Sequence, residues 1–155
     1  MKPPALQIKL IDPDRTAAMP PKIESAGAAG VDLRACIGTN SHRVQPGEVS
    51  IIPSGVAVAI PEGHVGLLTV RSSVGIKRGL VLANGVGVID SDYRGEVMIA
   101  VRNAKDYAVT IDKFERIAQL VVVPCMNLRG GAVELVTELP PTERGSGGIG
   151  STGTK

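Results

Sequence analysis

Short runs of valine, isoleucine and leucine, cut every few residues by glycine or proline, set the tightest limit on what this chain can fold into. Glycine and proline break helices and supply the φ values of tight turns, whereas brief β-branched runs between such breaks are what strands require. With nineteen glycines and eleven prolines in 155 residues, the pattern predicts an all-β domain of the sandwich, jelly-roll or barrel kind. The length suits one domain. Its core must be aliphatic, because there is no Trp, one Phe (Phe114) and two Tyr (Tyr93 and Tyr107). Without the area that aromatics bury, burial between subunits is an expected supplement.

Taken in order, the pattern predicts strands over 6–11, 31–34, 48–52, 56–60, 64–70, 86–89, 96–102, 107–111, 121–124 and 132–139. Asp12-Pro13-Asp14, Pro53-Ser54-Gly55, Pro61-Glu62-Gly63 and Asn103-Ala104-Lys105-Asp106 are the turns between them. Asn84-Gly85 between aliphatics predicts a two-residue type I′ hairpin, and the glycines at and after that turn suggest that a flat group approaches the main chain. Ser72 is placed to cap a turn of helix running towards Lys77. Residues 1–141 read as the β domain. Residues 142–155, rich in glycine, cannot bury a core and read as a separate arm, mobile when free.

Several function classes are disfavoured. A formal net charge of +2, with no basic run longer than Lys77-Arg78, gives no surface for tracking a nucleic-acid polymer. Cys36 and Cys125 are far apart and have no metal-ligand spacing, so free thiols are expected. His42 and His64 each stand without a second ligand at metal spacing. The first residues contain no apolar run of membrane-spanning length, which makes a cytoplasmic location the default. Gly145, Gly147 and Gly150 match a dinucleotide pattern, but no strand precedes them and no helix can follow.

Five stretches carry chemistry, each with a plainer alternative. Asp90-Ser91-Asp92-Tyr93 is either a solvated turn or a carboxylate site. Asp32, between two aliphatics, either faces solvent and an arginine or serves a ligand. Arg71-Ser72-Ser73-Val74-Gly75 is either a capped turn or an anion site, built from hydroxyls, backbone N–H groups and a guanidinium fork. Gln119 either pairs with buried backbone or reaches a ligand. The tail is either a linker or, through Arg144 and successive glycine N–H groups, a nest for a phosphate.

In this order, Ala29-Gly30-Val31-Asp32-Leu33, Arg71 to Gly75, the string Leu80 to Gly95, Glu115-Arg116-Ile117-Ala118-Gln119-Leu120 and the glycine-rich tail resemble the five motifs of the trimeric deoxyuridine triphosphatases (dUTPases). The resemblance runs from Ala29 to the C-terminus. It implies a jelly-roll-like (β-clip) subunit with a flexible arm, a homotrimer, and sites shared between subunits. The reaction implied is hydrolysis of dUTP to dUMP and pyrophosphate, which keeps uracil out of DNA and supplies dUMP for thymidylate synthesis.

By the same resemblance Asp90 activates the hydrolytic water. Arg71, Ser72, Ser73, Gly75, Gln119 and Arg144 hold the triphosphate. Asn84, Gly87, Val88, Ile89 and Met98 line the uracil pocket, Tyr93 lies under the deoxyribose and excludes a 2′-hydroxyl, and Asp32 orients waters on substrate-bound Mg²⁺. Val70 stands in place of a common proline. Phe114 stands for the usual turn glycine, so a changed backbone is expected there, and Ile149 stands for the arm aromatic that stacks on uracil. The departure at Ile149 leaves open a nucleotide-binding regulatory homologue with weak turnover. A dCTP deaminase-like enzyme fits less well, because Ala100 stands where that enzyme carries its catalytic glutamate.

Overall fold

The computed structural model describes residues 5–11, 19–21, 23–126, 128 and 133–148. Among these residues ten strands follow one another: β1 (Gln7–Leu10), β2 (Val31–Arg34), β3 (Ser41–Val44), β4 (Val49–Ala59), β5 (His64–Val70), β6 (Leu80–Leu82), β7 (Gly87–Ile89), β8 (Glu96–Asn103), β9 (Val109–Asp112) and β10 (Arg116–Pro124). They form two four-stranded sheets, ordered β1-β4-β8-β6 and β2-β10-β5-β7, and a two-stranded sheet β3-β9. Every pairing is antiparallel. The fold is all-β and jelly-roll-like, as the punctuated aliphatic pattern predicts.

Alternation explains the core. On β8, Val97, Ile99 and Val101 are fully buried while Met98 between them is exposed, because successive side chains leave a strand on opposite faces. Leu33, Ile52, Leu68, Leu80, Ile111, Ile117 and Leu120 join them in one aliphatic cluster. Each such side chain contributes about 1.5–3 kcal/mol by leaving water, and none of them is aromatic.

Several expectations need correction. The strands expected at 48–52 and 56–60 are one strand, β4; its register with β8 shifts between Pro53 and Ala57, where Gly55 takes a positive φ of 73°. Proline there bends the ladder without ending it, as at a bulge. Strand β3 is too short and polar to show an alternation, and β9, which pairs with it, fixes it instead.

The hairpin at Asn84-Gly85 does not form. Strand β6 pairs with β8 and β7 pairs with β5, so the chain crosses from one sheet to the other here. Gly85 has a φ of 75° but Asn84 does not share the positive value a type I′ turn needs, and the turn closes from Gly85 N–H to Leu82 O at 3.1 Å. Of the strand expected at 132–139, the described residues 133–139 form none, and Leu135 is 97% exposed. Alternation alone makes no strand, and no pairing among the described residues includes this stretch. Residues 12–14, 132 and 149 lie outside the described residues.

Phe114 corrects the reading in the opposite direction. It occupies the third position of a turn closed by Glu115 N–H to Asp112 O at 3.1 Å, with a φ of 60°. That is the left-handed conformation of the third residue in a type II turn, the position that favours glycine. So the backbone keeps a glycine-like shape, at a cost of roughly 1–2 kcal/mol for a residue with a Cβ. Three contacts hold it there: Phe114 N–H to Ala35 O at 2.8 Å, Arg34 Nη1 to Phe114 O at 2.9 Å, and Lys113 Nζ over the ring at 5.1 Å.

Candidate functional site

One group of the expected residues gathers at the β2–β10 side of the second sheet. Register sets Asp32 opposite Gln119, and Gln119 opposite Thr69, so the three share one face. Arg71 follows β5 directly and donates from Nε to Asp32 Oδ2 at 3.1 Å and from Nη1 to the Arg116 carbonyl at 3.3 Å. Arg116 Nη1 meets the same Asp32 oxygen at 3.4 Å and Glu24 Oε1 at 2.7 Å. Glu24, Asp32, Arg71, Arg116 and Gln119, with Ser72 and 28–30, line one open depression. Gly30 is required in its wall, since a Cβ there would lie 2.8 Å from Leu120 O.

The helix expected after Ser72 is a single π-helical turn, Ser73–Lys77, started by Val74 and Gly75 N–H groups donating to Arg71 O, both at 2.9 Å. Ser72 does not cap it: its φ is −54° and its hydroxyl makes no capping bond. Ser72 and Ser73 are exposed, and Ser72 lines the depression with Arg71. Gly75 packs against β5, where a Cβ would approach Val70 Cγ2 to 3.2 Å.

Asp90 lies elsewhere. It follows β7, whose Ile89 pairs with Gly66, so it falls level with Val65 near the start of β5, while Arg71 follows the end of that strand. Six residues of strand, at about 3.3 Å each, put roughly 20 Å between the two. Asp90, Ser91, Asp92 and Arg94 line a second depression with Glu62, His64, Cys125 and Met126. The turn is held by Tyr93 N–H to Asp90 O at 3.1 Å and by Arg94 Nη1 to Ser91 O at 2.7 Å. Tyr93 donates its hydroxyl to Glu96 O at 2.9 Å and lays its ring over Gly95, where a Cβ would collide with it.

The expected position of Asp90 beside the phosphate residues is therefore not found within one chain. Asn84 is exposed in the crossover, and Val88 and Met98 are exposed on their strands. Gly87 is buried, and a Cβ on it would come within 2.9 Å of Leu68 Cβ, so Leu68 fills the side-chain position of this glycine. Ile89 is half-buried at the end of β7. Arg144 sits in an exposed turn, with Nε donating to Gly147 O at 3.0 Å.

Arg116 and Glu24 escaped the sequence reading. Regular alternation would set Arg116 on the face of Ala118 and Leu120, away from Gln119. A register shift between Arg116 and Ala118 inserts one residue, so Ile117 and Ala118 are both fully buried and Arg116 turns to the face of Gln119. Two adjacent apolar residues between Arg116 and Gln119 are the only local hint of this. Nothing around Glu24 announces its pairing.

Fold and charge thus define an all-β, jelly-roll-like chain with a two-arginine depression at one end of a sheet and a carboxylate turn at the other. The family model described as dUTPase matches residues 16–153. The deoxyuridine 5′-triphosphate nucleotidohydrolase of Azoarcus sp. (strain BH72) is 45% identical over 149 residues, covering 96% of this chain and 97% of that one. The dUTPase of Staphylococcus bacteriophage 80alpha, solved with dUPNHPP, superposes with a TM-score of 0.82 at 33% identity, over 96% of this chain and 98% of that chain. A mutant dUTPase from phage phi11 of S. aureus, whose structure concerns coordination of a structural Mg(II) ion, gives 0.74 at 27%, over 89% and 100%. The chain belongs to the dUTPase family.

Proposed function

We infer that this protein hydrolyses dUTP to dUMP and pyrophosphate, by attack of water at the α-phosphorus. Family membership over residues 16–153 carries the reading. Phosphoryl transfer needs an aligned water, a group to take its proton and neutralisation of charge on the phosphate oxygens. Asp90, exposed on its turn, is assigned the proton. Arg71, Ser72, Ser73, Gly75 and Gln119 are assigned the triphosphate, with Arg144 and the arm, including Ile149, closing over it. The exposed face of Tyr93 takes the deoxyribose, where a 2′-hydroxyl finds no room. Asn84, Gly87, Val88, Ile89 and Met98 take the base.

Because Asp90 and Arg71 lie about 20 Å apart along one sheet, no single chain can put both on one α-phosphate. We therefore propose that each site is composite, built from more than one copy, which supports the homotrimer that the family resemblance implies. Mg²⁺ fits as a cation carried by the nucleotide. No three acidic, His or Cys side chains among the described residues form a metal cage, whereas phosphate oxygens and one carboxylate, Asp32, suit a hard ion that keeps several waters. When bound, the ion offsets phosphate charge; Asp32 orients its waters. No helix among the described residues is long and apolar enough to cross a membrane, and we place the enzyme with the nucleotide pool in the cytoplasm.

Pyrophosphate release from dUTP, dCTP, dTTP and UTP, each with and without Mg²⁺, tests the reading. The expected result is release from dUTP, well above that from UTP, and dependent on Mg²⁺. Failure to release pyrophosphate from dUTP overturns it, and equal kcat/KM for dUTP and UTP overturns the role of Tyr93.

A further inference from the structure

Arg116 has no part in the roles assigned above, yet it touches more of the charged depression than any residue that does. Its guanidinium spans two carboxylates, Glu24 at 2.7 Å and Asp32 at 3.4 Å, and its carbonyl accepts from Arg71 Nη1 at 3.3 Å. Both guanidinium contacts to Asp32 fall on Oδ2, that of Arg71 at 3.1 Å and that of Arg116 at 3.4 Å. The carboxylate is thereby pinned by one oxygen, and the other is left to meet water in the depression. Asp32 is only 13% exposed, so an unpinned carboxylate there would carry a desolvation cost and would turn onto Arg71 alone.

We propose that Arg116 is a positioning residue for Asp32: it holds the carboxylate in the orientation that meets the waters of nucleotide-bound Mg²⁺, and it shares the negative charge that Arg71 would otherwise have to neutralise by itself. This rests on the reading of the depression as the phosphate site. Two backbone features serve the role. The inserted residue at Ile117 turns Arg116 to the face of Asp32 and Gln119, and the type II turn at Phe114 delivers the chain into that bulge. A lysine cannot substitute fully, because both contacts are made by Nη1, which lies one bond farther along the side chain than a lysine ammonium, and the ammonium is a more strongly hydrated point charge.

The test is calorimetric binding of a non-hydrolysable imido analogue of dUTP to the full chain at a series of Mg²⁺ concentrations. Wild type, Arg116→Gln, Arg116→Lys and Arg71→Ala are compared. Arg116→Gln keeps most of the stem and should raise the Mg²⁺ concentration for half-maximal binding by roughly tenfold or more, the range seen when a partner holding a metal-facing ligand is lost. Its affinity should converge towards wild type when Mg²⁺ saturates, and Arg116→Lys should lie between them.

Arg71→Ala should weaken binding at every Mg²⁺ concentration. A folded Arg116→Gln chain with the wild-type Mg²⁺ midpoint, or with a loss independent of Mg²⁺, overturns the proposal. If Arg116→Gln does not fold, Arg116→Lys decides by the same midpoint, and an unchanged value there overturns it. Wild-type affinity in Arg71→Ala overturns the phosphate-site reading itself, and this proposal with it.

Discussion

The two ends of the β2-β10-β5-β7 sheet are built on opposite principles. At the Arg71 end, charge is met by charge: Asp32, Arg71, Arg116 and Glu24 form one network, and Arg78 pairs with Glu115 just beyond it. At the Asp90 end, carboxylates sit in a turn held by hydrogen bonds to backbone carbonyls, and no ion pair falls on Asp90 among the described residues. Both guanidinium contacts at Asp32 fall on Oδ2, which suits that carboxylate to orienting water from a fixed position. On the function proposed above, the difference gives binding of charge to one end and acceptance of a proton to the other, with a second copy bringing the two surfaces together.

The sharpest way to break this comparison is to remove one function from each end. Asp90→Asn should keep affinity for the imido analogue while turnover falls by roughly two to four orders of magnitude, the usual loss for a general base. Arg71→Ala should instead lose affinity. When the two inactive chains are unfolded together and refolded, activity should return at roughly one site in four, because a site drawing Asp90 and Arg71 from different copies is intact by chance that often. Absence of any recovery in assembled mixed oligomers would sink the composite site.

A smaller effect is expected at Phe114, whose turn feeds the Arg71 end. Phe114→Ala keeps the left-handed strain and loses the ring, whereas Phe114→Gly loses both, so the glycine chain should be the more stable of the two by about 1 kcal/mol. Equal denaturation midpoints for the two variants would show that the turn stores no strain.

The smallest effect lies outside both ends, at Glu48. Its carboxyl is held below the ordinary 4.5, first by the Gln45 N–H, then by the Ser50 hydroxyl and the charge of His42, with burial opposing. Its Oε2 accepts from Gln45 N–H at 2.6 Å, and Ser50, which His42 Nε2 approaches to 3.0 Å, donates to its Oε1 at 2.8 Å. A group whose pKa is lower folded than unfolded adds stability above the unfolded value and loses it as pH falls through the folded one. Wild type should therefore exceed Glu48→Gln in urea midpoint at neutral pH, and the two should converge as pH drops below 4.5. A gap that does not change with pH would assign the effect to shape and not to charge.

How far the sequence carries can be read at single strands. Turn residues at Pro61-Glu62-Gly63 and the charged Arg71 bracket β5 so closely that its observed bounds, His64–Val70, are those the pattern predicts. The residue types of the site were equally legible: an aspartate turn, an arginine followed by serines, and a glutamine before an aliphatic run. Asn84-Gly85 shows where such reasoning ends. The dipeptide marks a turn, but whether the chain doubles back or crosses to the other sheet depends on which edges β5 and β8 leave open.

By itself, then, the sequence determined that this is an aliphatic all-β chain carrying the residue types that a phosphate-handling site would use, because turns and alternation are local rules acting over a few residues. Only the tertiary structure decided that Arg116 faces Asp32, that Phe114 is forced into a glycine's conformation, and that Asp90 and Arg71 stand at opposite ends of one sheet. Those outcomes depend on strand pairing across long stretches of chain, where burying the whole core outweighs the preference of any single turn.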